Sequence, residues 1–170
     1  MLEIRQENID DYEDVYNVVK IAFEGAEHSD GNEQDLVIEL RKSENFIQKL
    51  SLVAIKDNKI VGYILFTKIK IGKNTELALA PLAVLPEYQG QGIGRKLIEK
   101  GHEVAKKLEY HYSVVLGSEN YYPRFGYVPA VKYGIKAPFE VPSKNFMAIK
   151  LNDTNKEIKG IVKYGKEFEI

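Results

Sequence analysis

Gly90, Gly92 and Gly94 stand at alternate positions between an apolar run and a long amphipathic one. Glycine reaches positive φ without steric cost and lets a ligand approach the main chain without meeting a Cβ. From Ile93 onward the chain reads as a helix. Ile93, Leu97, Ile98, Gly101, Val104, Ala105 and Leu108 share one face, and Lys96, Glu99, Lys100, Lys106 and Lys107 lie mostly elsewhere. The N–H groups that open such a helix have no intrahelical acceptor and carry the positive end of its dipole. The chemistry expected of that junction is anion binding, with phosphate the natural ligand. Arg95 and Lys96 occupy the first turn, where the dipole disfavours cations. A bound polyanion reverses that penalty; a solvated face tolerates it at a cost of a few tenths of a kcal/mol.

Other phosphate-binding patterns fail on the letters. In G-x-G-x-x-G, the third glycine after Gly90 and Gly92 would fall at Arg95, and after Gly92 and Gly94 at Leu97. A P-loop needs Gly-Lys followed by Ser or Thr, whereas the two Gly-Lys pairs continue as Gly72-Lys73-Asn74 and Gly165-Lys166-Glu167. What remains is Gln89-x-x-Gly92-x-Gly94, directly after a strand exit reading Leu82-Ala83-Val84-Leu85-Pro86.

The elements that must position this loop follow from periodicity. Leu2 to Arg5 alternates as a short strand, and Asn8 or Asp10 can cap a helix striped by Tyr12, Val15, Tyr16, Val19, Ala22 and Phe23. A polar, acidic loop from Gly25 to Gln34, containing His28, leads to a second helix that buries Leu36, Val37 and Leu40. Ser51 to Lys56 and Ile60 to Ile71 form a hairpin across Asp57-Asn58-Lys59, and the run Leu52-Val53-Ala54-Ile55 predicts a strand covered on both faces. Asn74 turns the chain into the strand that ends at the glycine loop. Pro81 interrupts that strand, where a missing N–H breaks a ladder, so a bulge or a splayed edge is expected there. The long helix then crosses over to a parallel strand, His111 to Gly117. Ser118 is expected to cap a short helix from Glu119 to Phe125; strands follow at Tyr127-Val128, Asn145 to Leu151 and Gly160 to Phe168.

Gln89-x-x-Gly92-x-Gly94, with its strand exit and the helix Ile93 to Gly101, resembles the acyl-CoA pyrophosphate loop of the GNAT N-acyltransferases. The resemblance runs in order along the whole chain. It looks closest to the bacterial predicted-acetyltransferase branch, whose ending Gly-x-Val-x-Tyr-x-x-x-Phe matches Gly160, Val162, Tyr164 and Phe168. It implies an α+β fold: a mixed, mostly antiparallel central sheet splayed between two parallel strands and flanked by about four helices. One domain would span 1–170, with a core of about 1–150 and a C-terminal strand extension over 151–170. The implied cosubstrate is acetyl-CoA, held by Gln89, Gly90, Gln91, Gly92, Ile93, Gly94 and Arg95. Main-chain groups of Leu82, Ala83 and Val84 would pair with the pantetheine arm and help polarise the thioester.

Transfer of an acetyl group from a thioester to an amine needs a deprotonated amine, a stabilised oxyanion and a proton for the leaving thiolate. Tyrosine, of reference pKa ~10, can protonate a thiolate whose conjugate acid lies near ~8.5. In Tyr121-Tyr122-Pro123-Arg124-Phe125-Gly126-Tyr127 the resemblance puts Tyr122 at the general acid. On a helix Tyr121 and Phe125 share a face, which should be the core face, and Tyr122 points ~100° away toward the cleft. The general base stays open among Glu76, Glu33, Glu119 and a water chain. The family's first two helices and their connection line the acceptor side, which brings in His28. An acidic loop there favours a cationic amine such as a polyamine, an aminoglycoside or a lysine side chain. The rival to an enzyme is a catalytically silent acyl-CoA-binding sensor or interaction module.

Composition bounds these readings. At 170 residues, 44% hydrophobic and 29% charged, the chain has an ordinary globular balance. A net charge of −1 and a pI near 6.3 leave no basic footprint for nucleic acid or an anionic membrane. With no cysteine there is no disulfide, thiolate nucleophile or zinc–thiolate site, and the three histidines show no metal-ligand spacing, so no metal is assigned. The first 20 residues are acidic and lack an apolar signal core, which predicts a cytoplasmic protein. The expected partner is a small-molecule or peptide amine, with a homodimer left open.

Overall fold

The structure is a computed structural model that describes residues 1–26 and 29–169. Strands β1 (Glu3–Gln6), β2 (Ser51–Lys56), β3 (Lys59–Ile71), β4 (Asn74–Val84), β5 (Tyr112–Leu116), β6 (Val128–Pro129), β7 (Ile135–Lys136), β8 (Phe146–Lys150) and β9 (Gly160–Lys163) accompany helices α1 (Tyr12–Phe23), α2 (Glu33–Arg41) and α3 (Ile93–Lys107). The main sheet runs β1-β2-β3-β4-β5-β8-β6, antiparallel except where β4 meets β5. β9 adds to the end of β3 and pairs in parallel with β7, a small contact the sequence does not announce.

The β2–β3 hairpin closes through Asp57 and Asn58, both left-handed at φ 54° and 61°, as a two-residue turn that matches strand twist requires. Side-chain alternation along β3 puts the helices on opposite faces. Gly62 and Phe66 meet α3, whereas Tyr63 points to the other side, where its hydroxyl lies 2.7 Å from Ser51 Oγ. Ser51 donates to Glu7 Oε1 (2.7 Å), and Arg41 at the end of α2 pairs with the same carboxylate. This buried chain fixes the end of α2 against β2 and β3, and burial pushes the Tyr63 phenol well above its ordinary range.

Pro81 does what its missing N–H requires. Ile64 pairs with Leu82 and Phe66 with Leu79, so Ala80 and Pro81 together face Leu65 across a bulge. The β4–β5 pairing amounts to Leu77 with Ser113 and Ala78 with Val114. At that end Glu76, only 1% exposed, accepts from the N–H groups of His111 (2.7 Å) and Tyr112 (3.0 Å). Past Ala78 the strands part, and β5 follows β8 instead as far as Leu116 opposite Phe146.

Three α-helices are present among the described residues, not about four. The expected helix from Glu119 to Phe125 is a single 3-10 turn, Tyr122–Phe125. Pro123 has no N–H for the carbonyl of Glu119, and the Ser118 hydroxyl accepts from Asn120 N–H (3.1 Å) in a local turn. The last strand likewise stops at Lys163, before a 3-10 turn at Lys166–Phe168.

Gly101 brings α3 onto β3: a Cβ there would lie 2.3 Å from Phe66 Cε1. Helix propensity alone predicts that Gly101→Ala gains about 1 kcal/mol. Overpacking against a buried ring predicts the reverse, a loss of about 1–3 kcal/mol. Urea unfolding of the variant distinguishes the two, and a gain would contradict the packing described.

Candidate active site

The parted strands open a cavity of about 940 Å³. Its walls come from β4 (Leu79 to Leu82 and Val84), the glycine loop, the ends of β5 and the Tyr121–Phe125 segment, and the α1–α2 side.

Strand alternation decides which main-chain groups face the gap. Leu85 N–H donates to Val61 O (2.9 Å), directly opposite in register, so Ala83 also turns its main-chain groups to β3. Leu82 and Val84, one residue to either side, turn theirs to the open edge. Gln89 then folds back, its Nε2 donating to Val84 O (3.1 Å), which shapes the loop.

Gly90 and Gly92 are left-handed, at φ 78° and 81°, with open space around the Cβ positions they lack. The first main-chain bond of α3 is Lys96 N–H to Gly92 O (3.1 Å), and Gly92, the N-cap, has no side chain to supply. The N–H groups of Gly90 to Arg95 therefore find no acceptor among the described residues, and no acidic side chain occupies the first turn. Gly94 serves another purpose: a Cβ there would sit 2.2 Å from Tyr121 Oη. Arg95 lies over the Phe125 ring (5.0 Å), and Lys56 at the end of β2 reaches Gln91 Oε1 (2.7 Å), placing cations beside the free amides.

Tyr121 and Phe125 do share a face, with rings 5.0 Å apart, and it packs against the rim of the core at the start of α3. Tyr122 lines the cavity, with its ring edge-on to Tyr121 (5.1 Å) and Tyr127 (5.8 Å). Its hydroxyl has no hydrogen-bond partner among the described residues. Burial raises its pKa, which keeps the phenol protonated at neutral pH. Gly117 makes room for it, since a Cβ there would meet Tyr122 Cε2 at 2.4 Å. Tyr127 is held from behind by Ser113 Oγ (2.9 Å) and His102 Nε2 (3.0 Å).

Of the carboxylates considered as a base, Glu33 lies on the cavity wall. Glu76 is occupied at the closed end of the β4–β5 pair, and Glu119 is bound by Asn145 Nδ2 (2.6 Å), off the wall. His28 lies outside the described residues. Among the described residues no group of three or more metal-ligating side chains occurs, and no helix is long and apolar enough to cross a membrane.

Free amides at a strand-to-helix junction, beside a strand edge left open by splaying, make a site suited to an extended anionic ligand. Residues 9–127 match the model of the Acetyltransferase (GNAT) family, and the chain belongs to that family. The uncharacterized N-acetyltransferase YjhQ of Escherichia coli K12 is 41% identical over 118 residues, which span 66% of this chain and 65% of that protein. The uncharacterized N-acetyltransferase YhbS of the same strain is 31% identical over 140 residues, or 80% and 83% of the two chains. A crystal structure of E. coli YhbS in complex with CoA superposes with a TM-score of 0.89 at 27% identity, covering 99% of this chain and 92% of that one. A GNAT family acetyltransferase from Brucella melitensis in complex with acetyl-CoA gives 0.81 at 29% identity, covering 99% and 98%.

His102, 8% exposed, has its pKa lowered to about 4 by burial and by the Lys106 charge. The folded state thus binds fewer protons than the unfolded chain between its ordinary pKa of ~6.5 and that value. The stability His102 contributes is present above the upper limit and falls as pH drops through the window, by on the order of 3 kcal/mol at most. His102→Gln should flatten this part of the stability–pH profile relative to wild type; parallel profiles would contradict it.

Proposed function

We propose that this protein is an N-acetyltransferase that moves an acetyl group from acetyl-CoA to a primary amine by direct attack in a ternary complex, within one domain spanning 1–170. The observation that carries the reading is the convergence, on one cavity, of the free amides of Gly90 to Arg95, the outward main-chain groups of Leu82 and Val84, and a protonated, unpartnered Tyr122. The cosubstrate fits on chemical grounds. The loop offers donors and local cations to a diphosphate, and the strand edge offers a donor–acceptor ladder to the amides of a pantetheine arm.

The amine nitrogen attacks the thioester carbonyl, and the resulting oxyanion is stabilised by main-chain N–H groups at the splayed edge of β4. Collapse breaks the carbon–sulfur bond. The Tyr122 hydroxyl gives its proton to the departing thiolate, and the proton lost by the amine restores it through solvent. The products are an amide and free coenzyme A, with no covalent enzyme intermediate. Leu82 and Val84 in β4, Gln89 to Arg95 in the loop and Tyr122 form the working set; Ala83, expected from the sequence to join them, is left out because its main-chain groups are turned to β3.

Tyr122→Phe keeps the ring packed against Tyr121 and Tyr127 and removes only the hydroxyl that carries the proton. It should lower kcat by about 10²- to 10⁴-fold with acetyl-CoA binding retained, as read by thiol release and calorimetry. Undiminished turnover would remove Tyr122 from the mechanism.

A further inference from the structure

The cavity is charged differently on the two faces of the sheet. On the α3 side stand Arg95 and Arg124. On the α1–α2 side Phe23, Ala26 and Leu36 make an apolar wall, and Glu33 is the only carboxylate lining the cavity among the described residues. Glu33 is half-buried, and both its oxygens lie within hydrogen-bond reach of the Ser29 hydroxyl, at 2.7 and 2.8 Å. Ser29 Oγ in turn accepts from Gly31 N–H (3.0 Å), which fixes the hydroxyl. The first turn of α2 adds the positive end of a helix dipole.

Glu33 thus presents to the cavity a carboxylate fixed in place, suited to hold a cation. A nitrogen held there as an ammonium is engaged in the ion pair and is not the one that reacts. The nitrogen that attacks the thioester must be neutral. The cation at Glu33 and the attacking amine are therefore different nitrogens of one acceptor, separated by a segment that lies along Phe23 and Leu36. Resting on the acyl-transfer reading above, we propose that the acceptor is a diamine or longer polyamine. One ammonium is anchored at Glu33, an apolar methylene spacer follows, and the far amine is acetylated. The carbon–nitrogen bond forms as the carbon–sulfur bond breaks, and the proton the amine loses balances the one the thiolate gains.

The test is a thiol-release assay with acetyl-CoA and a series of 1,n-diaminoalkanes, each paired with the n-alkylamine of equal chain length, run beside acetyl-CoA calorimetry. Wild type should favour each effective diamine over its monoamine by about tenfold or more in kcat/KM, the scale of a partly desolvated ion pair. Glu33→Gln should collapse that ratio toward one by raising KM for the diamine. Glu33→Asp should restore a preference and move the optimum to a diamine about one methylene longer, which loss of fold or of general packing would not do. Turnover by wild type without a diamine preference, or a preference that survives Glu33→Gln, overturns the inference and leaves acyl transfer standing. No thiol release with any amine, whether or not acetyl-CoA binds, overturns acyl transfer and this inference with it.

Discussion

The arrangement depends on two adjacent strands that pair over two residues and then separate. Glu76 holds β4 and β5 together at one end by accepting from the first amides of β5. Pro81 and the bulge beside it withdraw β4 at the other, while the pairing of β5 with β8 draws it the opposite way. A sheet normally conceals its hydrogen-bonding groups in ladders. Here the groups of Leu82 and Val84 are left facing a gap, and the gap runs from the α3 face of the sheet to the α1–α2 face. The cavity, the reach of the loop into it and the position of Tyr122 on its wall all follow from that separation.

Recognition built this way needs little net charge. On the proposed reading a polyanion would be met by main-chain amides at the start of α3, by the helix dipole, and by a few cations delivered from separate elements. That explains how a chain of net charge −1 can present an anion site. It also explains why glycine is required at four positions for two reasons. Gly90 and Gly92 give the loop its left-handed turns, whereas Gly94 and, farther on, Gly117 yield space to the rings of Tyr121 and Tyr122.

Features encoded by local spacing were legible in the sequence. The glycine loop, the amphipathic α3, the β2–β3 hairpin and the bulge at Pro81 each follow from residues within a few positions of one another. The helix expected around Tyr122 is one turn instead, because Pro123 and the Ser118 turn outweigh the spacing of Tyr121 and Phe125, and all three rings line the cavity. What escaped depends on distant partners. Lys56 reaches Gln91 across 35 positions, and β7 pairs with β9, which itself pairs with the distant β3. Glu76, one of the candidate bases, is consumed by the N–H groups of His111 and Tyr112, whereas Glu33, in the acidic loop expected on the acceptor side, lies on the cavity wall.

The central claim is that unpaired main-chain amides, rather than side-chain charge, hold the coenzyme. It is tested most directly by following backbone amide resonances while coenzyme A is added. The account predicts that Gln91 to Arg95 show the largest downfield proton shifts, with Leu82 and Val84 next and Ala83, bonded within the sheet, much less affected. Tight binding that leaves the loop amides unmoved, or that shifts them no more than the rest of the sheet, would contradict it.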